Sequence, residues 1–266
     1  MIRNFLSLFA ISARLTLSTV PDLGSATIAF VRVVAVPVTT GLFYLALATG
    51  AGAVPPSTSN ALAAGTAVGA MGASMAASAL VTLDKFEGTM PHLLLASSGR
   101  AAAWAGRLFT LVGLGLVTAV TVSIVGLVIA PRHWEFPQLL LFVSTLVIAA
   151  FGGMGIGLLL GAIGLGLRDS LLLANFAEFF LPLICGAVAP IVVLPIPLQW
   201  ITSIIPITPA ISAARSLGEG GSTVEVATQL VISIALGCVW LLAGLLAWRL
   251  VERVARSSGA FELSPL

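Results

Sequence analysis

Six apolar stretches, each long enough to cross a lipid bilayer, constrain this chain more than any other feature. A helix needs about 20 mostly apolar residues to span the hydrocarbon. The stretches lie at about 33–53, 60–83, 101–130, 138–167, 171–194 and 225–250. The breaks carry helix-ending or polar residues: Pro55-Pro56-Ser57, then Asp84-Lys85-Phe86-Glu87-Gly88, then Pro131-Arg132-His133-Trp134-Glu135, then Arg168-Asp169. A further apolar segment, 195–221, holds Pro195, Pro197, Pro206 and Pro209 before Gly218-Glu219-Gly220-Gly221, so one continuous span is not expected there.

Composition supports a polytopic membrane protein. Charged residues make up 8% of the chain and mean hydropathy is +1.13, against about 25% charge in soluble domains. So few charges cannot cover a globule of this size in water. A net charge of +2 leaves no basic patch for nucleic acid. Two cysteines, Cys185 and Cys238, both inside apolar runs, give no disulfide framework. The apolar runs are continuous, unlike the alternation of a membrane barrel.

Basic residues set the orientation. With the N-terminus in the cytosol, Arg3, Arg14, Arg32, Lys85, Arg100, Arg107, Arg168, Arg249, Arg253 and Arg256 lie on the inner side, and only Arg132 and Arg215 on the outer. Both termini are then cytosolic. Arginine far outnumbers lysine, and alanine, glycine and valine abound. That composition points to a GC-rich bacterial genome and hence to a bacterial cell membrane.

The first residues resemble a signal peptide in outline, but their periodicity differs. Ile2, Phe5, Phe9, Ala13 and Leu17 share one helical face; Arg3, Ser7, Arg14 and Ser18 share another. An amphipathic interfacial helix over 1–22 fits this pattern better. Two later stretches carry small residues four apart: Ala61, Gly65, Gly69, Ala73 and Ala77 in the second, Gly153, Gly157 and Gly161 in the fourth. Such rows let helices approach closely, within the chain or at a dimer seam.

Several chemistries are missing. The single lysine, Lys85, has no Gly-rich loop before it, so there is no P-loop. His92 and His133 fall on opposite sides of the membrane, and no metal cluster is expected. Ser74 in the second stretch has no histidine in any other stretch to serve as its base.

The loop after the second stretch is the informative segment. Asp84, Lys85 and Glu87 bring charge into a chain that has little of it. Gly88-Thr89 offers a helix start, with Thr89 as cap and Pro91 in the first turn. His92, Leu93, Leu94 and Leu95 follow on a short amphipathic helix. A charged elbow with such a helix suits docking of a cytosolic partner; the alternative is a solvated loop marking the membrane edge.

These residues resemble the ABC-2 type permeases, the membrane subunits of one class of ABC exporters. Asp84-Lys85-x-Glu87-Gly88-Thr89 followed by Leu93-Leu94 matches that family's loop in place and order. Arg32 and Pro37 resemble the start of the family's first span, and 195–221 with Arg215 resembles its Pro-broken extracellular segment. Pro91 stands where the family usually has Glu, and Ser97-Ser98 where a proline commonly follows the helix. Drug-resistance-type permeases look closest, polysaccharide or teichoic-acid exporters next. The resemblance implies an all-α integral membrane fold over 23–254, with six transmembrane helices, an N-terminal interfacial helix, a coupling helix in 84–97, a re-entrant segment 195–221 and a cytosolic tail 255–266. It implies a second permease copy or a sister permease. It also implies two copies of an ATPase subunit, which would hold ATP and Mg while this chain binds no cofactor and catalyses nothing. In that picture Asp84, Lys85, Glu87, Gly88, Thr89, His92, Leu93 and Leu94 would couple to the ATPase, and Arg3, Phe5, Phe9 and Arg14 would lie on the interfacial helix.

Charge inside a span marks function by default. Glu178 lies roughly 12 Å along a helix from Ser170, with Asn175 three residues before it on the same face and Phe176, Phe179 and Phe180 around it. This set suits contact with an amphipathic or cationic substrate; the alternative is a structural pairing of Glu178 with Arg168 or another helix. Arg32 reads as an anchor that snorkels to the inner headgroups. Against the exporter reading stand a secondary carrier or channel working alone, and a subunit without transport activity.

Overall fold

The computed structural model describes residues 2–19, 25–86, 100–167 and 169–258, and every regular element among them is helical. Helix α1 is Ile2–Thr19 and α2 is Ala26–Ala48. Helices α3 (Thr58–Phe86), α4 (Arg100–Ile129) and α5 (Phe136–Gly164) follow, then a short α6 (Leu172–Ile184). The bent pair α7 (Ile196–Ser203) and α8 (Ile207–Glu219) leads to α9 (Thr223–Ser258). Among the described residues five helices are long and apolar enough to cross a membrane, α2, α3, α4, α5 and α9, and the bent pair α7–α8 makes a sixth if it counts as one span.

Helix α3 is the central post, and it packs against α2, α4, α5, α6 and α8. Small residues make this possible. A Cβ on Gly65 or Gly69 would collide with Ser123 or Ala119 of α4, and one on Gly153 or Gly157 would collide with the carbonyls of Ala70 or Ser74. Ser78 Oγ then donates to the Gly157 carbonyl at 2.7 Å. Both small-residue rows are therefore used inside one chain, which decides between the two readings offered by the sequence. Close backbone approach replaces apolar side-chain burial as the main source of helix association in lipid.

Two ends of the bundle differ. At one, α1 lies along the start of α4: Ser12 Oγ donates to the Ala103 carbonyl at 2.7 Å, and the Phe9 and Phe109 rings meet at 5.5 Å. Thr16 and Phe9 face α4, whereas Leu8, Ile11, Leu15 and Leu17 are exposed. Trp104, Trp248 and Arg107 gather at this end, with the indoles at 5.2 Å and the guanidinium 5.4 Å over Trp104. At the other end Thr58 Oγ1 donates to Ala130 at 3.1 Å, and Arg132 reaches the Gly218 carbonyl and lies 6.0 Å over Trp134. The distribution of basic residues in the sequence leads one to expect the first end on the inner side.

Two expectations shift. The first span runs from Ala26 to Ala48, earlier than 33–53, because Gly50, Ala51 and Gly52 take positive φ and end the helix. Arg32 therefore lies inside it, on a π-helical turn (Val31–Ala35) just before Pro37. A proline has no N–H for the carbonyl four residues back and its ring crowds that turn, so a widened turn accommodates it. The fifth stretch, 171–194, is not one helix. It ends at Ile184 after 13 residues, with Pro182 inside and Gly186 at φ +101°. At roughly 20 Å it is shorter than the hydrocarbon. The broken segment 195–221 appears as α7 and α8, which meet at 102°. Trp240 of α9 donates to the Ile204 carbonyl at that elbow at 2.8 Å, and Ser233 to Pro206 at 2.7 Å.

Candidate functional site

A cavity of about 580 Å³ opens between α2, α3, α4 and α6. The polar side chains on its wall are few. Asn175 and Glu178 come from α6, Arg32 and Thr40 from α2, Thr82 from α3 and Thr118 from α4; the rest is largely aliphatic with Met71 and Met75. Such a site, apolar with a few placed polar groups, suits a small amphipathic molecule. The two methionines add soft, adaptable surface.

The i, i+3 spacing of Asn175 and Glu178 does place both on the cavity face. Glu178 is half-buried. Arg32 lines the same cavity from an exposed position. Tyr44, 2% exposed, donates its phenol to the Glu178 backbone carbonyl at 3.3 Å. That bond fixes α6 against α2 at the level of the carboxylate.

The three phenylalanines do not surround this pair. Phe176, Phe179 and Phe180 are at least half exposed, and Phe176 and Phe180 stack at 4.1 Å, off the cavity wall. Helical geometry explains the correction. Successive residues turn by about 100°, which carries Phe176 and Phe180 round to another face, while Phe179, four residues after Asn175, sits at the edge of that face and is exposed.

Sequence reasoning missed Tyr44 and the methionines. Tyr44 carried a usable signal, being the chain's single tyrosine and lying in the middle of an apolar stretch. Met71 and Met75 carried none, since only the packing shows which side of α3 meets the cavity.

The proposed coupling residues divide by position. Asp84 and Lys85 lie in the last turn of α3, and their side chains fall outside the described set. Glu87, Gly88, Thr89, His92, Leu93 and Leu94 lie outside the described residues altogether. Leu83, the residue before Asp84, is on the cavity wall. One helix thus runs from the cavity directly into the loop. On α1, Arg3 and Phe5 sit in the helix with side chains outside the described set, Phe9 packs on Phe109, and Arg14 is exposed.

No curated protein and no solved structure matches the chain. The family model for the ABC-2 type transporter matches residues 7–217, from α1 to the end of α8. That stretch includes all four helices of the cavity wall. This membrane-spanning chain, a transporter domain that is not itself catalytic, belongs to the ABC-2 type transporter family.

Proposed function

We propose that the chain is the permease subunit of an ATP-driven exporter. It moves a hydrophobic or amphipathic substrate, such as a drug, an antibiotic or a lipid-linked compound, from the cytosol or inner leaflet to the outside. The cavity walled by Arg32, Met71, Met75, Asn175 and Glu178 is the substrate site. The single observation that carries this reading is continuity: α3 lines the cavity as far as Leu83, and its last turn carries Asp84 and Lys85, the first charges of the coupling segment.

The mechanism is a two-state one. A separate ATPase dimer grips segment 84–97 through Glu87, Gly88, Leu93 and Leu94. Closure of that dimer on ATP and Mg moves the loop. Helix α3 transmits the motion, and α1, seated on the start of α4, moves with it. A ligand on the partner thereby biases the permease between inward and outward states. Glu178 and Arg32 offer one charge of each sign, so a cationic head settles against the carboxylate while its apolar body lies along Met71 and Met75. A second permease, identical or a sister chain, completes the complex in the bacterial cell membrane.

The test is purification of the tagged chain in mild detergent from its native host. A stoichiometric soluble ATPase, lost in Glu87→Ala or Gly88→Pro, supports the reading. Recovery of the chain alone, still active in ion-coupled transport, refutes it in favour of a carrier working by itself.

A further inference from the structure

The cavity is blocked toward the outer end by a packed plug. Tyr44 and Met71 line the cavity and belong to one buried cluster with Cys185, Ala187 and Ile207. Beside this cluster lies a buried guanidinium, Arg215, 7% exposed on α8. Its Nε donates to the Gly186 carbonyl at 2.8 Å, Nη2 to the Ala187 carbonyl at 3.1 Å and Nη1 to Asn60 Oδ1 at 2.7 Å. Gly186, at φ +101°, turns the chain out of α6 so that two successive carbonyls meet the fork. One side chain thus joins three elements: α8, the end of α6 and the start of α3. The last two wall the cavity.

The choice of acceptors is informative. A buried guanidinium paired with a carboxylate would leave a buried, uncompensated charge behind when the pair parted. Here all three acceptors are neutral, and Glu219, one turn along α8, acts on Arg215 only at longer range. Neutral acceptors can be exchanged for water without separating an ion pair. The tie is satisfied when dry and replaceable when wet.

We propose that Arg215 is a positioning residue for export: it holds the outer end of the cavity shut, and its donors leave Gly186 and Ala187 when that end opens. The proposal rests on the cavity being the substrate path.

Cys185 supplies a native reporter. It is fully buried next to Gly186, whereas Cys238 is exposed on α9. In a Cys238→Ala background, right-side-out vesicles from the native host, holding the permease with its ATPase, are treated from outside with a membrane-impermeant maleimide. Cys185 should label slowly at rest and on the order of tenfold faster with internal ATP and vanadate. Arg215→Gln should label at the fast rate without ATP, still hydrolyse ATP and fail to transport. Arg215→Lys should fall between. If Arg215→Gln does not insert, Asn60→Ala removes one bond of three and should give a smaller rise. Wild-type protection with wild-type transport, in whichever of these two variants inserts, overturns the proposal. Transport that survives Ala79→Trp, which puts a bulky ring into the cavity, overturns the path reading instead and leaves the labelling result standing.

Discussion

Tyr44 and Glu178, 134 positions apart in the chain, are joined by a hydrogen bond from the phenol to the backbone carbonyl at 3.3 Å. The bond bypasses the Glu178 side chain, which stays available to the cavity. Helix α6 needs such a partner because it is short and ends at Ile184. Tyr44→Phe keeps the ring packed and removes one neutral hydrogen bond, a loss of about 1 kcal/mol. We expect a fall of a few degrees in the melting temperature of the purified complex. Substrate-stimulated ATP hydrolysis should change more than the basal rate.

The contact between α3 and α5 sets a harsher test. A side chain at Gly157 meets the Ser74 backbone, which cannot swing aside as a rotamer would. Overpacking typically costs about 1–3 kcal/mol, and more where backbones must part. Gly157→Val should therefore lower folded yield in detergent sharply, measured by size-exclusion of a fluorescent fusion. Gly113, with open space around its Cβ position, is the control. Gly113→Val should be tolerated. Equal yields for the two would contradict a close α3–α5 seam.

The elbow between α7 and α8 hangs from α9. Trp240→Phe removes the indole N–H that meets Ile204 and leaves that carbonyl without its donor. The cost is about 1–3 kcal/mol if no water replaces it. Faster hydrogen exchange across 204–208, with α5 unchanged, is the expected signature. Uniform exchange across the chain would show that the elbow does not depend on α9.

Three full-length helices, and the start of a fourth, were legible in the sequence to within a few residues; α9 runs eight residues past the stretch assigned to it. The reason is that prolines and charges bracket them: Pro55-Pro56 before α3, Arg100 before α4, Pro131 and Pro137 around the start of α5, Gly220-Gly221 before α9. The fifth stretch was misread because hydropathy counts apolar residues and ignores backbone chemistry. Pro182 removes a donor inside the helix, and Gly186 and Pro190 then turn the chain away. Asn175 and Glu178 were legible from spacing alone. Their partners Tyr44, Arg32 and Met71 were not, because a periodic pattern fixes which face a residue occupies but not which helix it faces. The same limit hid Asn60 and Gly186 as acceptors for Arg215.

Glu178→Gln separates the substrate role from packing. The amide keeps the volume and leaves the Tyr44 bond untouched, since that bond uses the backbone. Transport of a cationic amphipath should fall about tenfold or more, the loss of one charged contact of roughly 1.5–3 kcal/mol. Transport of a neutral analogue should change little. A parallel fall for both, with reduced expression, would assign Glu178 to the fold.

In the proposed export cycle the cavity between α2, α3, α4 and α6 carries the substrate. Ala79→Trp tests it most directly, because Ala79 lies on the wall, is not fully buried, and has room before it for a large ring. The measurement is ATP-dependent substrate movement into inside-out vesicles holding the permease with its ATPase, alongside ATP hydrolysis in the same vesicles. Transport should be lost while basal hydrolysis persists. Undiminished transport with the ring in place would rule the cavity out as the substrate path.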